Sequence, residues 1–350
     1  MSTTAHERLK EYYGKVLGKS SDLQTNACCC DAEAMPDTIK GILGRIHPEI
    51  TERFYGCGSP IPPLLEGLTV LDLGCGTGRD AYILSGLVGE TGHVIGVDMT
   101  DEQLALARAH VGYHTQAFGY ARSNVAFRQG FIEDLAEIGI GDASVDIVVS
   151  NCVINLSPDK AGVFREILRV LKPGGELYFS DIFADRRIPD RLRHDPVLHG
   201  ECLGGAMYIE DFRRLLAGLG CPDYRITSSA PVTIDNAAIE EKIGMVQFRS
   251  LTVRAFKLDD LEDVCEDYGQ SAVYLGGIPG HAHAFDLDDH HRFVTGKPLL
   301  VCGNTTTMLQ HSRYAAHFEV RGDRSRHFGR FDCAPATDKA SAPVSANACC

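Results

Sequence analysis

The sequence predicts an α/β fold built on a mostly parallel sheet. Two observations carry that prediction. Short apolar strands alternate with helical stretches from Thr69 onward, the pattern of strands joined by crossover helices. The first of those strands runs straight into a glycine turn, DLGCGTG, which opens a helix.

The elements follow in order. Residues 1–20 read as helical, with Leu9, Tyr12, Tyr13, Val16 and Leu17 at near-helical spacing. Ser21–Met35 carries Cys28, Cys29 and Cys30 beside acids and reads as a loop. Pro36 opens a second helix expected to reach about Arg53. Gly56, Gly58, Pro60, Pro62 and Pro63 punctuate a linker. TVLDLGCGTGRDAYILSGLV, from Thr69, is then strand, turn and helix, and Val94–Met99 is a second strand. A helix over 101–117, a third strand from Asn124, a fourth at Asp146–Asn151 and an amphipathic helix over 159–171 come next. LKPGG ends that helix, and a fifth strand starts at Glu176. Residues 186–220 mix helix and loop. YRITSSAPVTI and VQFRSLTVRAFKL read as late, partly antiparallel strands that finish the sheet.

Residues 259–267 hold six acids and no base, which reads as a solvated boundary. Residues 270–335 suggest a small extra domain, and the Ala-, Ser- and Pro-rich tail from Ala336 reads as disordered. The expected organisation is an N-terminal helical segment over 1–66 carrying Cys28 and Cys57, and a cofactor-binding core over 67–185. After it come a region over 186–258 with the final strands, a small C-terminal α+β domain over 259–335, and a flexible tail over 336–350.

Composition narrows the function. The 350 residues suffice for two or three domains. Lys and Arg number 34 against 47 Asp and Glu, a formal charge of −13. That balance argues against a nucleic-acid binder and against an electrostatic grip on anionic membranes. MSTTAHERLKEYYGK does not read as a secretory signal, and no apolar run approaches the roughly 18 residues of a membrane span. The expected location is cytoplasmic, with a monomer as the default state. Thirteen cysteines are many for a reducing compartment. They are expected mostly as core thiols, ligands or catalytic groups, with at least one unpaired.

Asp72, Gly74, Gly76 and Gly78 form a GxGxG turn preceded by an acid. A dinucleotide fingerprint would read GxGxxG and feed pyrophosphate to the helix start. Asp72 would repel a pyrophosphate but suits a cationic ligand. S-adenosylmethionine, with its sulfonium and ammonium groups, fits better than a nicotinamide cofactor. Asp98 ends the next strand, 20 residues after Gly78, and can accept from both ribose hydroxyls. FIEDL places Ile132 and Glu133 where an adenine can sit. Arg79, Met99 and Asn151 complete the expected cofactor set. These features together predict a class I S-adenosylmethionine-dependent methyltransferase with a Rossmann-like sheet.

Three cysteines sit in polar, glycine-rich contexts: Cys57 in FYGCGSPIP, Cys152 in SNCVINL and Cys202 in GECLGGAMY. Cys152 follows the fourth strand, and ligands of open α/β sheets bind beyond the carboxyl ends of strands. Taken singly, each cysteine is more often a small buried hydrophobe. They lie 95 and 50 residues apart, so the spacing leaves their convergence open. Three converging thiolates suit a soft acceptor, whereas zinc wants four ligands in a closed site.

The chain resembles the arsenite methyltransferase family from about Tyr12 to about Asp332. YYGKVL, SDLQTNAC, YGCG, DLGCGTGRD, VSNCVINL, GGELYFSD, GECLGGA, YLGGIPGH and SRYAAHF carry the resemblance. It implies an arsenic-binding insertion after the cofactor core, with Cys152 and Cys202 as arsenic ligands and Cys57 as the third thiol. The N-terminal cysteine after LQTN maps onto Cys28, although Cys29 and Cys30 depart from the commoner single cysteine. The resemblance also implies that thiols of this group can pair as a disulfide, reduced between turnovers by thioredoxin or glutathione. Arsenite and methylarsenite, as thiol conjugates, are the implied substrates.

Two other readings remain open at this point: a methyltransferase for a small organic carbon or thiol acceptor, and a non-catalytic arsenic-binding protein. HAHAFDLDDHH, residues 281–291, reads as a solvated turn, with a metal site as the alternative. Cys349 and Cys350 could deliver arsenic or be inert. Asn151 and Asn155 flank Cys152 and can orient a ligand or the cofactor. Cys75 inside the glycine turn reads as a volume filler. Cys221, Cys265, Cys302 and Cys333 have no motif around them and read as packing or surface thiols.

Overall fold

The computed structural model describes residues 6–7, 9–10, 35–54, 56–193 and 195–333. Most of the expected N-terminal helix, Cys28, Cys29, Cys30, Cys349, Cys350 and the tail lie outside the described residues.

The helix expected from Pro36 to Arg53 is two helices, α1 (Asp37–Leu43) and α2 (Pro48–Thr51). Pro48 holds the preceding His47 in an extended conformation, at φ −61° and ψ 134°, so a continuous helix cannot cross that point. The sheet begins with β1 (Thr69–Leu73), α3 (Arg79–Val88) and β2 (His93–Asp98). The helix expected over 101–117 divides at His110 into α4 (Asp101–Ala109) and α5 (Val111–Phe118). Next come β3 (Val125–Gln129), β4 (Val145–Asn151), α6 (Lys160–Val170) and β5 (Leu171–Ala184). Asp159 caps α6 by accepting the Gly162 amide at 2.9 Å. After β5 lie α7 (Asp190–Arg193), α8 (Pro196–Gly200), β6 (Met207–Tyr208), α9 (Ile209–Gly218), β7 (Tyr224–Pro231), α10 (Ala237–Ile243) and β8 (Phe248–Phe256).

The strand order is β3-β2-β1-β4-β5-β8-β7, with β6 paired to the end of β5. Strands β1 to β5 run parallel, and β8 is antiparallel to both β5 and β7. The two late strands expected to finish the sheet do so. Helices cover both faces, so the inner strands are apolar on both sides. Leu71, Leu73, Val148 and Phe179 face one core with Phe164, Ile167 and Phe212, while Val70, Ile147 and Val149 face the other with Ile39, Tyr82 and Leu104. The chain leaves β1 toward β2 on one side and returns as β4 on the other. That reversal opens a crevice beyond the carboxyl ends of β1 and β4.

The C-terminal part holds β9 (Glu266–Asp267), β10 (Ser271–Tyr274), β11 (Ala284–Asp286), β12 (Arg292–Val294), β13 (Pro298–Leu300), α11 (Gly303–Gln310), β14 (Phe318–Arg321) and β15 (Gly329–Arg330). Its strands pair as β13-β10-β14, β11-β12 and β15-β9. Its core includes Phe256 of β8 together with Tyr274, Phe285, Phe293, Met308 and Tyr314, so it packs against the end of β8.

Two buried arginines fasten that junction. Arg254 on β8 donates to Glu176 at 2.6 Å, to the Leu287 carbonyl at 2.5 Å and to the Tyr314 hydroxyl at 2.6 Å. Arg225 on β7 pairs bidentately with Asp223 and reaches Asp288 at 3.2 Å. This corrects the reading of 281–291 as a solvated turn. Asp288 and His291 are buried and bonded to one another at 2.8 Å. A buried guanidinium needs anionic partners, and Asp288 joins Asp223 in supplying them. The acid run at 259–267 is likewise only partly solvated: Glu262 accepts from Tyr268 at 2.6 Å, and its second carboxylate oxygen is buried. No helix among the described residues is long and apolar enough to cross a membrane.

Candidate active site

The crevice beyond β1 and β4 is a cleft that spans, with its open mouth, about 980 Å³, at the upper end of ordinary small-ligand sites. Asp72, Gly74, Gly76, Arg79, Asp98, Met99, Ile132, Glu133, Asn151 and Cys152 all line it. Gly78 caps α3 immediately behind, at φ 89°.

The glycine turn is tightly specified. Gly74 has φ +67°, and a Cβ there would sit 2.3 Å from the Val153 side chain. The Gly74 and Cys75 amides both donate to the Val97 carbonyl, which presses the turn onto β2. Asp98, at the end of β2, accepts the Gly76 amide at 2.9 Å and the Thr100 amide at 2.8 Å. Its carboxylate therefore bridges the turn and α4 while facing the cleft.

Asp72 carries the electrostatic signature. It is 2% exposed, and its Oδ2 has no hydrogen-bond partner. Burial, then the nearby Asp80 and Asp98 carboxylates, push the Asp72 carboxyl well above its ordinary range. An unsatisfied carboxylate oxygen at the wall of a ligand-sized cleft asks for a cationic donor. The ammonium of S-adenosylmethionine is such a donor, and the neutral ribose hydroxyls suit Asp98.

On the opposite wall, Glu133 accepts from Ser157 at 2.5 Å and contacts His6 at 3.2 Å. The His6 ring packs on Phe131 with centroids 4.5 Å apart. Arg79 is buried and lies over the Phe54 ring at 3.6 Å. Asn151 is fully engaged elsewhere. Its Oδ1 accepts the Cys57 and Gly58 amides at 3.1 and 3.2 Å. Its Nδ2 donates to the Gly58 carbonyl at 2.8 Å and to Asp80 at 2.9 Å. With all four amide positions occupied, Asn151 clips the Cys57 loop to the end of β4.

The three distant cysteines meet at that point. Cys57 and Cys152 form a disulfide with Cα atoms 5.8 Å apart. The Cys202 thiol donates to the Cys152 carbonyl at 3.0 Å. All three are buried in one apolar cluster with Leu156, Ile182, Leu198 and Leu203. Cys152 and Cys202 have φ values of +56° and +64° and are two of only four described non-glycine residues with positive φ. Such strain gathers at functional sites. Gly205 lets the Cys202 segment approach, because a Cβ there would fall 1.9 Å from the Asn155 carbonyl oxygen.

Asp181 lies beside the disulfide, with its carboxylate and the two sulfurs within 4.8 Å of one another. It accepts from the Asn155 amide at 3.0 Å, the Asn155 side chain at 2.7 Å and the Ile182 amide at 2.9 Å. Burial raises its pKa to about 7 despite those bonds. Asn155, expected to orient a ligand, thus holds Asp181.

Comparison with known proteins decides the family. Residues 64–220 match a model described as a methyltransferase domain, and residues 268–347 match the arsenite methyltransferase C-terminal domain. An arsenite methyltransferase of Aquipseudomonas alcaligenes is 56% identical over 348 residues, 99% of this chain and 100% of that protein. The chain belongs to the arsenite methyltransferase family. The human arsenite methyltransferase is 45% identical over 316 residues, which span 89% of this chain and 83% of the human one. The crystal structure of an arsenic (III) S-adenosylmethionine methyltransferase from Chlamydomonas reinhardtii superposes with a TM-score of 0.83 at 52% identity, covering 85% of this chain and 100% of that one. The fold of this family member is accordingly a class I S-adenosylmethionine methyltransferase sheet with an additional C-terminal α+β region.

Sequence reasoning missed several residues of this arsenite methyltransferase site. Asp80 and Phe131 lie within the quoted DLGCGTGRD and FIEDL stretches yet were not singled out. Ser157, which holds Glu133, follows SNCVINL directly. Asp181 sits in GGELYFSD, one residue past Ser180, whose carbonyl accepts the Cys152 amide. An acid at the carboxyl end of β5, beside the crevice, was the available signal.

Proposed function

We propose that this arsenite methyltransferase transfers methyl groups from S-adenosylmethionine to trivalent arsenic held by Cys57, Cys152 and Cys202, giving methylarsenic and then dimethylarsenic species. The observation that carries the reading is the meeting of the Cys57–Cys152 disulfide and the Cys202 sulfur at the edge of the cleft lined by Asp72.

Asp72, Asp98, Met99, Ile132 and Glu133 hold the cofactor, and Arg79 packs beside them. S-adenosylmethionine supplies the methyl group as an electrophilic sulfonium carbon. The disulfide has to open first. Two electrons and two protons from thioredoxin or glutathione convert it to two thiols. Cys28 is the further thiol that can exchange with this pair during reduction.

Arsenite, as its hydroxide or a thiol conjugate, then exchanges its three ligands for three protein thiolates. The displaced groups leave as water or thiol. Thiolate-bound arsenic keeps a lone pair and gives up no proton when it takes a methyl group. The chain therefore needs no general base for that event, and its work is placement. Positioning of this kind can supply about 7–11 kcal/mol. The apolar walls around the sulfurs keep water from the reaction. The attack raises arsenic from the trivalent to the pentavalent state and releases S-adenosylhomocysteine. Two of the three sulfurs then leave as a disulfide, which returns arsenic to the trivalent state, and thioredoxin or glutathione reduces that disulfide to two thiols. Trivalent methylarsenic has one ligand position fewer, so Cys152 and Cys202 suffice to hold it for a second methylation. A cytoplasmic monomer, drawing on the cellular thiol pool, is the setting proposed for the cycle.

The deciding experiment incubates the purified chain with arsenite, a thioredoxin or glutathione reducing system and S-adenosylmethionine, followed by arsenic speciation. Mono- and dimethylated arsenic with matching S-adenosylhomocysteine is the expected result. Stoichiometric arsenic binding without cofactor consumption would leave only a sequestering protein. Undiminished turnover after Cys202→Ser would leave a different acceptor.

A further inference from the structure

The C-terminal region contains a second group of thiols that no motif announced. Cys265, Cys302 and Cys333 place their three sulfur atoms within 4.8 Å of one another. They are 37 and 31 residues apart in sequence. The pairing of β9 with β15 unites two of them: Glu266 faces Arg330, and the Phe331 amide donates to the Cys265 carbonyl at 2.8 Å. Cys302 arrives from beneath as the N-cap of α11, its sulfur accepting the Thr305 amide. Expected only as packing or surface thiols, these three form one cluster.

The surroundings favour thiolate at Cys302 alone: the hydrogen bond to Cys302 raises the Cys265 pKa, and burial raises that of Cys333. The Arg225 guanidinium, itself 4% exposed, points Nη2 at the Cys302 sulfur from 3.8 Å. Thr305 contacts the same sulfur at 3.3 Å through its hydroxyl. A hydrogen bond from the Cys265 thiol lowers the Cys302 pKa first, and Arg225 and Thr305 assist against the burial that opposes them. Cys302 is fully buried, while Cys265 and Cys333 are half-exposed. A small solute can therefore reach the group from outside.

The donor count decides what fits. Among the described residues no fourth His, Cys, Asp or Glu joins the cluster, whereas structural zinc sites are closed by four ligands. The Arg225 charge beside the sulfurs is already matched by Asp223 and Asp288, so a complex that adds no net charge fits. A neutral complex of three thiolates around a trivalent, three-coordinate, soft centre satisfies both conditions.

We propose that Cys265, Cys302 and Cys333 form a second binding site for trivalent arsenic, separate from the methyl-transfer site. Arg225 lies on β7, three strands across the sheet from β4, roughly 14 Å at about 4.8 Å per strand. Loading balances without redox chemistry. Three As–O bonds of arsenious acid break and three As–S bonds form. The three hydroxyls leave as three waters, taking the thiol protons and, where Cys302 is already ionised, one proton from solvent. The choice of arsenic among thiophiles rests on the function proposed above.

The test uses the full chain with Cys57, Cys152 and Cys202 changed to serine and reduced with a phosphine, without S-adenosylmethionine. Sodium arsenite alone and zinc chloride alone are the two probes. After desalting, native alkylation is mapped by peptide mass spectrometry, and bound arsenic and zinc are counted. Arsenite is expected to protect Cys265 and Cys333 from alkylation about tenfold or more. Bound arsenic should fall by one equivalent in both Cys265→Ser and Cys333→Ser, which alter only half-exposed positions and spare the buried Cys302. Equal alkylation with and without arsenite, an unchanged arsenic count in these variants, or retention of zinc in place of arsenic overturns the site. Methyl transfer by the unaltered chain is measured separately, so failure of one claim does not masquerade as failure of the other.

Discussion

The Cys202 thiol donates to the backbone carbonyl of Cys152 at 3.0 Å, although 50 residues separate the two. Cys152 is at the same time locked to Cys57. One sulfur is thus parked on the backbone of its neighbour while the other two are bonded together. In the proposed cycle, reduction frees the pair and Cys202 joins it.

The three thiols should therefore separate by step. Cys152→Ser and Cys202→Ser are expected to lower methylation of arsenite and of methylarsenite about 100-fold or more, as loss of placement does. Cys57→Ser should abolish the first methylation and retain the second. Initial rates with each substrate, under a thioredoxin or glutathione reducing system, check this. Omitting the reductant from the wild-type assay should silence the first turnover, because Cys57 and Cys152 start as a disulfide.

Asp72 gives a prediction with two opposite signs. Its unpartnered Oδ2 and raised pKa mark a carboxylate that burial and its acidic neighbours Asp80 and Asp98 destabilise. For a carboxyl raised on folding, stability is full below the ordinary pKa and is lost as pH rises through the folded value. At neutral pH, Asp72→Asn should therefore raise the Tm of the cofactor-free chain. On the proposed cofactor pose, the same change removes the partner of the ammonium. Affinity for S-adenosylmethionine should fall by about 1.5–3 kcal/mol. Thermal unfolding with and without cofactor, beside calorimetric titration, reads both signs. A variant that loses stability and affinity together contradicts the assignment.

The contrast between the two sites shows what the sequence discloses. DLGCGTG and Asp98 were legible because the chemistry of a glycine turn is local and the next strand end recurs at a fixed distance. The cysteine types in YGCG, SNCVINL and ECLGGA were legible as chemistry. Their convergence was not, because it depends on the Asn151 clip and on strand order. The cluster of Cys265, Cys302 and Cys333 carried no signal, since two-residue strands such as β9 and β15 have no periodicity to read. The buried role of Asp288 was hidden for a related reason: its partner Arg225 lies 63 residues away on an edge strand. Polar residues look solvated until the opposite charge is placed.

Asp181 should report pH. Its pKa of about 7 lies above the ordinary carboxyl value because burial outweighs its hydrogen bonds. The stability it contributes is full below about pH 4 and disappears as pH rises through 7. Relative to Asp181→Asn, whose side chain does not titrate, the wild type should lose about 2–3 kcal/mol between about pH 5 and about pH 8. Urea unfolding of both proteins at several pH values measures the difference. A constant difference would place the Asp181 proton elsewhere.

Arg254 tests how the C-terminal region is held. Its guanidinium joins Glu176 on β5 to the Leu287 carbonyl and the Tyr314 hydroxyl of that region, all with almost no exposure. Arg313 also pairs with Glu176, so the carboxylate retains one partner if Arg254 is lost. The Leu287 carbonyl loses its donor, while the Tyr314 hydroxyl still accepts from Arg313 at 2.7 Å. Removing one member of a buried ionic network costs about 3–5 kcal/mol, and Arg313 should keep Arg254→Met near the lower end of that range. None of these atoms lines the cofactor cleft, so S-adenosylmethionine affinity should stay within about twofold of wild type. Limited proteolysis should instead cut more readily after residue 258, between β8 and β9. Cofactor binding that fell in step with stability would mean that the two regions unfold as one unit rather than being joined at this contact.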